Sequence, residues 1–134
     1  MRIGFTKYHA LFNDFIIVDS RKHKLEASKR PRFVKDVCNR KSGVGADGVL
    51  FIGNSVKGTA KIDVYNADGG WAEKSGNGLR IAGLHNYKTK SKTKALVFEM
   101  GGTLNPVTFV SGSNDRGILN LYTRNDNGSI YTHD

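Results

Sequence analysis

The chain contains a single cysteine, a single tryptophan and too few acidic residues to balance its basic ones. Lone Cys38 cannot form a disulfide within the chain, and a reducing compartment is its simplest home. The first residues lack the basic, apolar and small-residue layout of a secretion signal, so a cytoplasmic location is expected. No stretch approaches the roughly 20 apolar residues that a spanning helix needs, which excludes a helical membrane segment. His9, His23, His85 and His133 are scattered, and Cys38 has no CxxC or HxxxH companion, so no metal site is expected.

The acidic deficit, 12 Asp and Glu against 21 Lys and Arg, leaves a formal charge of +9. That charge suits nucleic acid, an acidic membrane surface, an anionic substrate or simple solubility, and selects none of them. Its residues gather at Arg21 to Lys24, Lys29 to Arg32 and Lys88 to Lys94, in segments that read as loops or helix ends. A solvated surface is the simplest reading, and nucleic acid is not an expected partner.

What remains is a turn-rich globular chain: 134 residues, 38% hydrophobic, with 16 glycines. This length holds one domain with its own core. Ile3 to Phe5 and Phe15 to Asp19 read as strands, with Asn13-Asp14 favouring a turn between them. Phe33, Val34, Val37 and Cys38 recur at helical spacing behind Pro31, a residue suited to a first turn, and predict a short amphipathic helix ending before Ser42-Gly43. Val49 to Ile52 is an apolar run bounded by glycine. Ala60 to Tyr65 alternates apolar with polar, and both segments predict strands.

Leu79 to Tyr87 predicts a helix that is apolar nearly all round and therefore buried. Ala95 to Glu99, Pro106 to Val110 and Gly117 to Tyr122 predict three further strands. Residues 1–123 are expected to form the domain, and polar residues 124–134 a tail. About seven strands and one buried helix imply an α+β fold: a curled, mostly antiparallel sheet wrapped around a central helix.

Residues that could carry chemistry concentrate between Tyr65 and Arg80. Small residues at Ser75, Gly76 and Gly78 let a ligand approach the backbone at the start of the predicted helix. The first helical N–H groups lack internal partners and lie at the positive end of the helix dipole, which favours an anion such as a carboxylate. Ser75 as a plain helix cap is the competing reading. Lys41 to Gly48 is glycine-rich, but it lacks the spacing of a phosphate-binding loop and does not follow a strand as a dinucleotide fingerprint must. Ser75 has no GxSxG elbow, which removes a serine hydrolase. Cys38, on an apolar stripe, reads as a core residue rather than a nucleophile.

Three segments in order resemble the N-terminal half of the diaminopimelate epimerase family. They are Lys7-Tyr8-His9-Ala10-Leu11-Phe12-Asn13-Asp14-Phe15, then Gly43-Val44-Gly45-Ala46-Asp47-Gly48, and Asn66-Ala67-Asp68-Gly69 followed by Ser75-Gly76-Asn77-Gly78-Leu79-Arg80. The resemblance implies half of a two-domain fold with the active site in the cleft between the halves. It also implies inversion at an amino-acid α-carbon, LL- to meso-diaminopimelate in lysine synthesis, without pyridoxal phosphate or metal.

By the same resemblance, Asn13 and Asn66 bind substrate, Gly76 and Asn77 present backbone donors to its α-carboxylate, and Ser75 stands where the family has its first catalytic cysteine. A serine hydroxyl is a far weaker acid than a thiol. Either the missing half supplies the working base, or the site is slow or inactive, or the serine serves to trap a substrate complex. Phe12 is a second departure, since the family has a small glycine there. The second half lies outside these residues, so the expected partner is a separate half or a second copy of the chain. The competing function is a non-catalytic half-epimerase module that binds nucleic acid or another macromolecule through its basic loops.

Overall fold

The computed structural model describes residues 2–89, 95–108 and 125–131. Its strands are β1 (Arg2–Ala10), β2 (Asn13–Asp19), β3 (Gly48–Gly53), β4 (Ala60–Asn66), β5 (Trp71–Ala72), β6 (Ala95–Met100), β7 (Thr103–Thr108) and β8 (Asn125–Tyr131); its helices are α1 (Arg30–Cys38) and α2 (Gly76–Thr89). All eight strands join one sheet in the order β7-β6-β4-β3-β2-β1-β8, with β5 paired to β4. The β2/β3 and β4/β6 pairs are parallel and the other pairings antiparallel. The α+β class expected from the apolar pattern is the one observed.

Both faces of the sheet are covered, which explains the continuous apolar runs in β2 and β3. Phe15 and Ile17 of β2 and Leu50 and Ile52 of β3 join one core with Ile81, Ala82 and Leu84 of α2. Their neighbours Ile16, Val18, Val49 and Phe51 join a second core with Phe33, Val34, Val37 and Cys38 of α1. Strand β4 sends Ile62 and Val64 into the α2 core, while its other face is only partly buried, with Tyr65 packed against the α1 core, and its alternation follows from that difference. On its other face Asp63 accepts a 3.2 Å hydrogen bond from Arg30, whose guanidinium lies 4.3 Å from the Phe51 ring centroid.

Pro31 opens α1 as expected, and the apolar stripe of that helix is buried. The α2 core also takes residues from β1, β4 and β6, including Tyr8, Ala10, Leu96, Phe98 and Met100. Burial of α2 is deepest in its middle turn, where Ile81 to Leu84 are inside together with Gly78, whereas Arg80 and Lys88 are exposed. A Cβ added at Gly83 would stand 2.9 Å from the Val107 side chain, so glycine is what allows α2 to lie this close to β7.

Three sequence expectations change. The β1–β2 turn is Leu11-Phe12 rather than Asn13-Asp14, because Ala10 and Asn13 pair across it. Asn13 and Asp14 are drawn into β2 by bonds to Asp47, which outweigh their local turn preference. The polar segment expected as a tail supplies β8, antiparallel to β1. Main-chain pairing along an edge needs no apolar side chains, so composition does not reveal it. Strand β7 begins at Thr103, three residues before the expected start; Phe109, Val110, the strand expected over Gly117 to Tyr122 and the boundary near Thr123 lie outside the described residues.

Leu11 and Phe12 have φ of 53° and 66°. Two successive left-handed residues define a tight hairpin turn that favours Asn-Gly, and non-glycine residues are strained there. The double replacement Leu11→Asn/Phe12→Gly should raise stability by about 1 kcal/mol, read as a higher urea midpoint. A lower midpoint would show that the left-handed turn is not the strained element described.

Candidate active site

The site forms where the β1–β2 hairpin, the loop before β3 and the start of α2 meet. The loop after α1 first completes that helix. The N–H groups of Gly43, Gly45 and Ala46 donate to the carbonyls of Asn39, Val37 and Cys38, which have no acceptor role inside the helix. Gly45 adopts φ 83°, and this left-handed step carries the chain back towards β2. Asp47 is thereby delivered to the first residues of β2.

Asp47 and Asp14 then hold one another through the backbone. The Asp47 N–H donates to the Asp14 carbonyl and carboxylate, both at 2.9 Å. In return Asp47 Oδ2 accepts the Asp14 N–H at 3.1 Å and the Asn13 side-chain amide at 3.0 Å. Arg40 closes the cluster with two bonds to Asp14, at 2.8 and 3.1 Å, and one to Asp47 at 3.1 Å. Lys7 adds a 3.2 Å ion pair to Asp14. Burial opposes the ionised form of Asp14, but these donors outweigh it and hold the carboxyl well below the usual carboxylate range.

The Asp47 carbonyl accepts the Ala67 N–H at 2.9 Å, and Gly48 pairs with Asn66 in the sheet. The turn after β4 is closed by the Asn66 N–H donating to Gly70 and the Gly69 N–H donating to Asn66. Asn66 is exposed at this turn.

Ser75 caps α2: its Oγ accepts the Gly78 N–H at 2.9 Å and its carbonyl accepts the Leu79 N–H at 3.0 Å. Among the described residues, nothing accepts from the Gly76 and Asn77 N–H groups. A Cβ at Gly76 would meet no atom within 4 Å, so packing does not demand glycine there and the backbone is open to approach. The Asn77 side-chain amide donates to Asn13 Oδ1 at 3.3 Å, joining the helix start to the hairpin. The cap reading of Ser75 thus holds, and it uses the Gly78 and Leu79 N–H groups rather than those of Gly76 and Asn77.

Of the five residues singled out from sequence, Asn13, Ser75, Gly76 and Asn77 share one polar surface. Asn66 adjoins it through the main chain. Asp47, Asp14 and Arg40 escaped sequence reasoning, although the glycines around Asp47 mark a loop built to carry it. Cys38 is buried, and burial followed by the nearby Asp14 charge pushes its thiol up to about 12, which removes it as a nucleophile at neutral pH. Among the described residues no three His, Cys, Asp or Glu side chains are grouped to hold a metal ion, and no helix is long and apolar enough to cross a membrane.

The same arrangement of sheet and helices occurs in solved structures of phenazine-biosynthesis proteins. A Bacillus anthracis protein of the PhzF family matches with a TM-score of 0.66 at 20% identity, over 87% of this chain and 38% of that one. A putative PhzC/PhzF protein of Clostridium difficile matches with a TM-score of 0.57 at 12% identity, over 83% and 41%. This likeness defines the class of fold.

The family follows from sequence. The diaminopimelate epimerase family model matches residues 5–121, and the chain belongs to that family. The diaminopimelate epimerase of Gloeothece citriformis is 44% identical over 115 residues, 79% of this chain and 39% of that protein. Those of Methanocella arvoryzae and Nostoc punctiforme are each 36% identical, over 74% and 84% of this chain and 38% and 42% of theirs. The chain thus spans about two fifths of the length of these relatives.

The Asp14 cluster sets an acid limit on stability. A carboxyl whose pKa is lowered by folding contributes stability above its unfolded value near 4, and that contribution is lost as pH falls towards the folded value. Asp14→Asn should cost about 1–2 kcal/mol at pH 7, a figure kept small because the Arg40 side chain is 57% exposed. The variant should also lose stability less steeply than the parent between pH 5 and pH 2. Parallel pH profiles in urea melts would contradict this account of Asp14.

Proposed function

We propose that the chain is the N-terminal half of a cofactor-independent epimerase that inverts the α-carbon of diaminopimelate, completed by a second half or a second copy. The observation that carries this reading is the start of α2. There the free N–H groups of Gly76 and Asn77, at the positive end of a helix and bonded sideways to Asn13, suit an α-carboxylate. Asn13 and Asn66 bind the rest of the amino-acid backbone, and no cofactor takes part. The finer architecture proposed is the family's half, a sheet curled about α2 as its central helix. A cytoplasmic location suits the lysine-forming role.

Loss of a proton from Cα places charge on the carbon and its carboxylate, and N–H donors held in advance stabilise that charge without reorganising. One group must remove the proton and another must return one to the opposite face, so one half alone is incomplete. Ser75 occupies the position on this side. Its oxygen accepts from Gly78, which leaves its own hydrogen to donate towards a ligand, but a hydroxyl is too weak an acid to exchange protons as a thiol does. Leu11, Phe12 and Trp71 are 62%, 86% and 56% exposed beside Asn13 and the Asn66 turn, which favours a partner that covers this side.

The isolated chain should not exchange the Cα hydrogen of LL-diaminopimelate for deuterium, as followed by mass spectrometry. Adding a complementary C-terminal half should start exchange, and Ser75→Cys should accelerate it by about 10²-fold or more. Robust turnover by a verified monomer overturns the two-half mechanism. No exchange by the Ser75→Cys chain with its complement overturns the assignment of position 75.

A further inference from the structure

We infer that Asp47 and Arg80 are the positioning residues of this site: they lock the side-chain amides of Asn13 and Asn77 into single orientations through one directed chain of hydrogen bonds. The inference rests on the carboxylate-binding reading above. An asparagine amide presents a donor end and an acceptor end of nearly the same shape, so an isolated one can turn over at little cost. At this site the two ends of the chain are charged and cannot be read both ways.

A carboxylate only accepts. Asp47 Oδ2, 3.0 Å from the Asn13 amide nitrogen, therefore fixes that nitrogen towards itself and turns Asn13 Oδ1 the other way. Asn13 Oδ1 in turn requires a donor, and takes Asn77 Nδ2 at 3.3 Å. That leaves Asn77 Oδ1 facing outward, where the Arg80 guanidinium, which only donates, binds it at 3.1 Å. Turning either amide over would set like ends together at two contacts. Arg40, 3.1 Å from Asp47 Oδ1, anchors the carboxylate at its far side.

The consequence is chemical. With one N–H of Asn13 and one of Asn77 spent inside the chain, each amide keeps one N–H for a ligand, while Asn77 Oδ1 is occupied by Arg80. Together with the free N–H groups of Gly76 and Asn77, the surface becomes rich in donors. It selects an anion over an ammonium group at this point. Arg80 is exposed and makes its bond to Asn77 one turn along the helix, so its removal leaves the core intact.

The test follows the side-chain NH₂ resonances of Asn13 and Asn77 in the ligand-free, ¹⁵N-labelled chain. Arg80→Ala, a surface change that leaves the core intact, should shift the Asn13 pair as well as the Asn77 pair. Asp47→Asn, which retains an acceptor oxygen but no charge, should shift the Asn77 pair although Asp47 does not touch it. Shifts confined to the directly bonded asparagine in both variants overturn the proposal. A second arm measures LL-diaminopimelate binding by calorimetry. Each variant should weaken it about tenfold, the worth of one hydrogen bond to a charged group. The Asp47→Asn loss should vanish in an Asn13→Ala background, whereas a loss that simply adds contradicts action through Asn13. If the parent chain together with a complementary half binds no diaminopimelate, the functional reading fails while the resonance shifts still decide the orientation chain.

Discussion

The Asp14 carboxylate is the constraint on which the rest of the site depends. It accepts from Arg40, from Lys7 and from the Asp47 N–H, and so ties the loop leaving α1 to the start of β2. The tie adds to the pairing of Phe15 with Gly48 and the burial of Ala46, which bring the glycine loop to the start of β2. The carboxylate and Lys7 are equally shielded from water, with 14% and 15% of their side chains exposed, whereas Arg40 is 57% exposed.

Hydrophobic burial positions the other wall independently. Ile81, Ala82 and Leu84 seat α2 on the sheet, and Ser75 caps the helix just as it emerges from that core. Helix and hairpin are thus set by different forces, apolar packing for one and an ion cluster for the other. The 3.3 Å bond from Asn77 to Asn13 is where the two meet. This division suits a site that must hold charge without flexing, because neither wall relies on the ligand for its shape.

Much of this was legible in the sequence where a periodic pattern faces a single environment. The stripe Phe33, Val34, Val37 and Cys38 gave away α1, and the alternation from Ala60 to Tyr65 gave away β4, because each pattern reports one buried face. The start of α2 was legible because Ser75, a favoured capping residue, stands just before an apolar helical stretch. What stayed hidden depends on partners far along the chain. Asn13-Asp14 reads locally as a turn, and only the bonds to Asp47, 33 and 34 residues away, convert it to strand. Asp47 itself is one acid among twelve, distinguished only by the loop that carries it. The β8 strand rests on main-chain pairing, to which side-chain composition is nearly blind.

The most direct test of the account is a titration of the ¹⁵N-labelled chain with LL-diaminopimelate, following the backbone amides. Because the Gly76 and Asn77 N–H groups stand free at the start of α2, they should show the largest shifts, saturating together with the side-chain amide of Asn13. Perturbations centred instead on Arg21 to Lys24 and Lys29 to Arg32, with Gly76 and Asn77 unmoved, would contradict it. The positive surface, rather than the head of α2, would then be where this protein meets anions.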